Sequence, residues 1–289
     1  MSATFLSACK ERVFNKINSL LVEDDKVTSS MKYSALADSK CIRAGLVFAS
    51  GNLKKNLNDS ALTDLATSIE LMHTYSLIHD DLPSMDNDDM RRGQPSNHII
   101  FHEATSILAG DALQALAYEV IASSKDIKDK QKIEIIKTLA SSCGHQGMIL
   151  GQQYDLDAEK DEYHDIKKIH LLKTAKLIQA AITLPYLGLY EYKDTYKILQ
   201  KLGEKLGLAF QIMDDVLEIS SNSETLGKNN NSDIKNSKMT YVSVFGLEES
   251  IQQAEKISNS CINEIKKKFS SKESKELIEL ANYMVARTH

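Results

Sequence analysis

Residues 61–81 read ALTDLATSIELMHTYSLIHDD, with apolar side chains at Leu62, Leu65, Ile69, Met72 and Leu77. Spacings of three to five residues match the turn of an α-helix rather than the alternation of a strand. The stretch ends on Asp80 and Asp81, and Pro83 forces the helix to stop or bend there. The same periodicity suits roughly 5–22, 40–50, 105–123, 130–150, 165–190, 194–220, 247–268 and 272–287. Strictly alternating β-branched and aromatic runs are absent, as are fixed-period repeats and any Pro- or Ser-rich linker. Polar breaks fall at 82–97, 124–129 and 221–238. The pattern predicts an all-α fold, a single domain over residues 1–289 built as a bundle of about ten helices. Two of the three breaks follow an acidic cluster, where a bundle would open a site.

The totals agree. A chain of 289 residues can bury about three quarters of its unfolded surface without disulfide staples. Only 3 Pro and 12 Gly are present, too few for a strand-rich fold with many turns. A net charge of -5 argues against a nucleic-acid partner. Cys9, Cys41, Cys143 and Cys261 are scattered without CxxC spacing and read as reduced thiols. The N-terminus carries no apolar signal core, and no stretch approaches the roughly 18 apolar residues of a membrane span. A cytoplasmic protein with no membrane partner is expected.

The first acidic cluster ends the quoted helix. His73 and Asp80 are seven residues apart and therefore share a helical face. Asp86 lies beyond Pro83, where a short turn can return it to Asp80. Carboxylates held together repel by a few kcal/mol at an effective dielectric near ~20, and Mg²⁺ removes that penalty in sites that also bind phosphates. Arg91 and Arg92 follow, and guanidinium forks match phosphate oxygens in pairs. Alone, this cluster reads more readily as a solvated acidic helix end whose charges are balanced by local arginines. DNDDMRRG lacks the alternating oxygen ligands of a calcium loop.

The second cluster, QIMDDVLE at 211–218, places Gln211, Asp214, Asp215 and Glu218 on one helical face. The motif has no basic partner of its own at the next turn; Lys228 and Lys238 come later, in the polar break. Two helix-borne acidic clusters, each followed by basic residues, point to a metal–diphosphate site.

The stretch HTYSLIHDDLPSMDNDDMRRGQPSNH resembles the first aspartate-rich motif of the trans-isoprenyl diphosphate synthases, in its bacterial farnesyl diphosphate synthase form. The second cluster resembles FQIxDDxLD…LGK, Lys40-Cys-Ile-Arg43 resembles GKRIRP, and GMILGQQYDL at 147–156 resembles GMxxGQxxDL. HLLKT at 170–174 and SKMTY at 237–241 match as well. The resemblance implies a bundle around a central cavity and head-to-tail prenyl transfer. Isopentenyl diphosphate would condense with dimethylallyl or geranyl diphosphate to give farnesyl diphosphate, in a homodimeric enzyme. It also implies three Mg²⁺ ions per site, replaceable by Mn²⁺.

The implied roles fall on named positions. Asp80, Asp86 and Asp214 would hold the metals, assisted by Asp81, Asp215 and Glu218. Arg91, Lys173, Lys228 and Lys238 would bind the allylic diphosphate. Lys40, Arg43, His73 and Arg92 would bind isopentenyl diphosphate, with Arg287 a further candidate there. Lys173, Thr174 and Gln211 would serve the reacting centre, the last two stabilising positive charge. Asp155 would support these residues from behind, while Gly147 and Gly151 permit close packing. Tyr75 and Ser76, five and four residues before Asp80, would set chain length at fifteen carbons. No other histidine takes a role.

Three positions depart from the pattern. Glu218 stands where Asp is usual, Cys41 replaces an arginine, and Ala44 replaces the proline of GKRIRP. Rival readings are a geranyl or geranylgeranyl diphosphate synthase, a terpene cyclase, which would carry an NSE-type second motif, and a non-catalytic subunit.

Overall fold

A computed structural model describes residues 2–160, 162, 164–226 and 239–286. The chain divides into two compact units, one of Met1–Thr138 with Leu184–Lys193, the other of Leu139–Thr183 with Asp194–His289. Both are built from α-helices. Among the described residues the strands are β1 (Met90–Arg91) and β2 (Gln94–Pro95) alone.

In the first unit, α1 (Ser2–Leu20), α2 (Lys26–Ala35), α3 (Ile42–Gly51) and α4 (Asp59–Asp80) precede the β1–β2 hairpin. The short α5 (Asn97–Phe101) and the long α6 (Glu103–Ser123) follow. Asn58 caps α4 by accepting from the Ala61 N–H at 2.8 Å. Through most of its length α4 is buried on all sides, so it is the core of its unit. Its packing against α6 needs Gly110, where an added Cβ would lie 2.1 Å from the His79 ring.

Helix α2 lies in a stretch where periodicity predicts none, because only Ser30, Met31 and Ala35 face inward. Capping and tertiary hydrogen bonds make it instead. Asp25 accepts from the Thr28 N–H at 2.9 Å. The buried Asn97 amide donates to the Ser30 carbonyl at 2.9 Å and the Ser34 hydroxyl at 2.8 Å, and accepts from Ser30 and Ser106.

The chain crosses to the second unit within α7 (Asp129–Cys143). The predicted helix over 130–150 is broken here. A turn at Gly144–Gly147 separates α7 from α8 (Met148–Glu159), and Gly147 needs its bare Cα because a Cβ would meet the Ser142 carbonyl at 2.1 Å. Gly147 thus serves a turn, not helix packing.

The single helix expected over 165–190 is also interrupted. It comprises α9 (Ile166–His170), a π-turn at Leu171–Ala175 and α10 (Lys176–Thr183), and Pro185 follows in a 3₁₀ turn. Helix α11 (Lys193–Leu226) runs past its expected end at 220, into the predicted polar break. The unit closes with α12 (Tyr241–Phe245), α13 (Leu247–Lys268) and α14 (Lys275–Val285). Ile169, Leu208, Ile212, Met213, Val216 and Tyr241 form the heart of its core.

Candidate active site

The end of α4 builds the first cluster. Beyond Asp80 the backbone turns on itself: Asp86 N–H donates to the Asp80 carbonyl at 2.9 Å, and Met85 and Asn87 donate to Leu82. Asn87 makes this possible at φ 52, a left-handed conformation that asparagine tolerates. Asp80 and Asp86 are each partly exposed, while Asp81 is 2 % exposed. Asp81 accepts from Arg91 Nε at 2.9 Å and also from its Nη2, which reaches Asp88 at 3.0 Å. Burial pushes the Asp81 carboxyl above the usual carboxylate range, with Arg91 pulling the other way. The two arginines have different placements for a local reason. Arg91 pairs with Gln94 across the hairpin, and Arg92 and Gly93 form the two-residue loop at φ 54 and 77. Positive φ at both positions is the type I′ arrangement whose twist suits a tight hairpin.

On α4, the partly exposed positions His73, Ser76, Leu77 and Asp80 recur at helical spacing and form one accessible stripe. Tyr75 is off that stripe and 5 % exposed, its ring edge-on to His79 at 5.7 Å between centroids. His79 Nε2 lies 3.1 Å from the Ile107 carbonyl. Two turns back from Asp80, His73 meets Arg43 of α3, with Nε2 and Nη1 3.0 Å apart. Arginine only donates, so His73 Nε2 accepts and its proton is assigned to Nδ1. Burial, then the charges of Arg43, Arg92 and Arg91, holds the His73 pKa well below its ordinary value, so the ring is neutral at pH 7. Lys40 is exposed just ahead of α3.

The second unit carries the other cluster. On α11, Gln211 and Asp214 are partly exposed, Glu218 is exposed and Asp215 is 5 % exposed. Asp215 accepts from the Tyr241 N–H at 2.6 Å and the Gln211 amide at 3.1 Å, and lies 3.2 Å from His170 Nε2. Gln211 in turn accepts from the Thr174 hydroxyl at 2.6 Å. Lys173 donates to Asp155 of α8 at 2.6 Å. Lys173 and Thr174 both sit in the π-turn, which is gripped from two sides. A Cβ on Gly151 of α8 would lie 2.2 Å from Lys173 N, and one on Gly207 of α11 would lie 2.5 Å from Ala175 Cα. Gly151 therefore permits close packing, as the spacing suggests. Lys228, Lys238 and Arg287 lie outside the described residues.

Within each unit the sequence-predicted residues come together as pairs and chains: Asp80 with Asp86, Asp81 with Arg91, Arg43 with His73, and Lys173 with Asp155. Thr174, Gln211 and Asp215 form the last chain. Three residues escaped sequence reading. Glu70 accepts from the Ala44 N–H at 2.8 Å, and His170 and the Tyr241 backbone hold Asp215. A lone glutamate inside the apolar run SIELMH was the available signal for Glu70.

The acidic donor set fits a hard divalent cation. Asp80 and Asp86 in the first unit, and Asp214 in the second, are each partly exposed, although Oδ1 of Asp86 is itself buried. Among the described residues no three His, Cys, Asp or Glu side chains converge as a ready cage.

The profile of the polyprenyl synthetase family matches residues 24–281. The chain belongs to that family. This polyprenyl synthetase is 39% identical over 268 residues to the farnesyl diphosphate synthase of Buchnera aphidicola, covering 90% of this chain and 93% of that one. It is 40% identical over 294 residues to the geranylgeranyl diphosphate synthase of Cyanophora paradoxa, covering 99% and 96%. The crystal structure of a geranyltransferase from Legionella pneumophila superposes with a TM-score of 0.87 at 32% identity, over 99% of this chain and 97% of that one. The all-α fold of the synthetase is thereby that of the isoprenoid synthases. No helix among its described residues is long and apolar enough to cross a membrane.

Proposed function

We propose that the chain makes farnesyl diphosphate, condensing isopentenyl diphosphate with dimethylallyl and then geranyl diphosphate and releasing diphosphate at each step. The chain is a prenyltransferase acting head-to-tail on prenyl diphosphates, as its family membership implies. The observation that carries the mechanism is the turn returning Asp86 to Asp80, with Arg91 bonded beside it.

Our reading gives Asp80, Asp86 and Asp214 to the divalent metal, taken as Mg²⁺ at three ions per site. When bound, the metal neutralises charge developing on the leaving diphosphate. Oδ1 of Asp81 and both oxygens of Asp215 are engaged by protein donors, so these residues orient Arg91 and Gln211. Glu218, exposed and longer, assists. Arg91, Lys173, Lys228 and Lys238 receive the allylic diphosphate, while Lys40, Arg43, His73 and Arg92 hold isopentenyl diphosphate. Neutral His73 acts there by orienting the Arg43 fork.

At the reacting carbons, polarity is set by a hydrogen-bond relay. Asp215 accepts a hydrogen bond from the Gln211 amide N–H and Gln211 Oε1 accepts one from the Thr174 hydroxyl, so Thr174 turns its oxygen lone pairs to the allylic cation. Preorganised dipoles of this kind stabilise developing charge without reorganising. Attack by the isopentenyl double bond then forms the new C–C bond, and a proton lost to the released diphosphate restores an allylic product. Water must be kept out, since it would trap the cation.

Residues 1–289 read as one synthase domain, a reading supported by a family match that runs through both compact units. We place the enzyme in the cytoplasm as a homodimer. A twenty-carbon product is the second reading, favoured by the 40% identity to a geranylgeranyl diphosphate synthase. Incubation with dimethylallyl and isopentenyl diphosphates and Mg²⁺, followed by mass spectrometry, tests all of this. Farnesyl diphosphate is expected; a twenty-carbon diphosphate would replace that product, and no diphosphate release would refute prenyl transfer.

A further inference from the structure

We infer that Glu70 is a positioning residue for isopentenyl diphosphate, locking the Lys40–Arg43 segment through the backbone N–H of Ala44. This rests on the proposed role of Lys40, Arg43, His73 and Arg92.

Helix α3 lacks a cap of its own. Its N-cap residue, Cys41, stands in the left-handed region at φ 46, ψ 43 and makes no side-chain capping bond. That conformation is unfavourable for a residue with a Cβ and persists only where the surroundings hold it. The first-turn N–H groups of a helix need acceptors. Glu70 supplies one from the neighbouring α4, accepting from Ala44 N–H at 2.8 Å.

Every residue of α3 is buried except Arg43. The helix is therefore clamped along its length, and its one outward side chain is the arginine that meets His73. Glu70 sits one helical turn before His73, so α4 holds both ends of the arrangement: Glu70 fixes the helix that carries Arg43, and His73 fixes its guanidinium. The Glu70 carboxylate is 6 % exposed and has the charges of Arg43 and Arg92 nearby.

The bond depends on a departure noted in the sequence. The GKRIRP pattern has proline where this chain has Ala44, and proline has no N–H to donate. Cys41, in place of arginine, removes a cation from the same loop. Ala44 with Glu70 supplies a fixed point that the loop's own sequence has lost.

The test is steady-state kinetics on the full chain, with calorimetric binding of isopentenyl diphosphate alone as a readout independent of turnover. Glu70→Leu is expected to raise KM and Kd for isopentenyl diphosphate about tenfold or more, leaving kcat and the KM for geranyl diphosphate within about threefold. Glu70→Gln keeps an acceptor for the Ala44 N–H and is expected to recover to within about threefold of wild type. Ala44→Pro removes the donor, and its ring also restricts the backbone of Arg43; it is expected to shift isopentenyl KM in the same direction as Leu, which keeps the test open if Glu70→Leu fails to fold. An isopentenyl Kd within about twofold of wild type in the Leu and Pro variants would overturn the inference, as would equal losses for both substrates. If wild type itself binds no isopentenyl diphosphate, the functional reading falls and this inference with it. Binding without turnover would sink the functional reading alone.

Discussion

The Asp86 N–H and the Asp80 carbonyl are 2.9 Å apart, so the chain leaving α4 is stitched back to the helix end by a backbone bond. Side-chain substitution at either position leaves that bond intact. Mutations here therefore report on the carboxylates rather than on the turn.

Asp80→Ala, Asp86→Ala and Asp214→Ala are each expected to lower kcat/KM by at least about two orders of magnitude, the scale of losing one preorganised charge-stabilising group. The far-ultraviolet circular dichroism should stay unchanged. EDTA should abolish activity in wild type, and added Mg²⁺ should restore it. A variant within about threefold of wild type would remove that aspartate from the metal set.

Tyr75→Ala is expected to lengthen the product beyond fifteen carbons. Its ring is buried and leans edge-on against His79, itself packed over Gly110. A missing ring leaves a void that the rigid α4–α6 contact cannot close, at a stability cost of about 3–5 kcal/mol. Product profiling by mass spectrometry decides; an unchanged chain length removes Tyr75 from the determinants of product length.

Gly151→Ala should destabilise the second unit by about 1–3 kcal/mol, because the added methyl meets the Lys173 backbone rather than a side chain that can move. Urea denaturation measures it. The same variant should lose activity at temperatures where it remains folded, since the displaced backbone carries Lys173 and Thr174. Full activity in a folded Gly151→Ala would show the π-turn tolerates displacement.

His73 gives stability a pH dependence. Its folded pKa is depressed below the ordinary 6.5, so the unfolded chain binds the proton more readily. Its contribution is full above about pH 6.5 and is lost as pH falls toward the folded value. Arg43, Arg92 and Arg91 reinforce the shift, while buried Glu70, raised by burial, works in the opposite sense. His73→Asn should therefore lose less stability than wild type between pH 7 and 5. Parallel stability curves for the two proteins would contradict the assignment.

Much of this was legible in the sequence, and the gaps have physical causes. Helices α4, α6 and α13 announce themselves by apolar periodicity. Helix α2 does not, because Asp25 and Asn97 make it rather than an apolar stripe. The break at 144–147 depends on Gly147 against a carbonyl, a contact no periodicity encodes. In the site, Asp80, Asp86, Arg91, His73 and Arg43 were readable because their residue types and spacings match their chemistry. The engagement of Asp81 with Arg91, and of Asp215 with Tyr241 and His170, needed tertiary structure. Glu70 was hidden for the opposite reason: its partner is a backbone group, and backbone groups have no letter in a sequence.

The π-turn at Leu171–Ala175 has one more consequence. A π-turn is in effect one surplus residue inside a helix, and it puts α9 and α10 out of phase by about a quarter of a revolution. Deleting a single residue there would restore an unbroken α-helix and look harmless on a helical wheel. It would also swing Lys173 away from Asp155, or Thr174 away from Gln211, since one regular helix cannot aim neighbouring side chains at α8 and α11 in the same way. Length in this segment is thus as strictly determined as the identities of Lys173 and Thr174: it should tolerate no insertion or deletion.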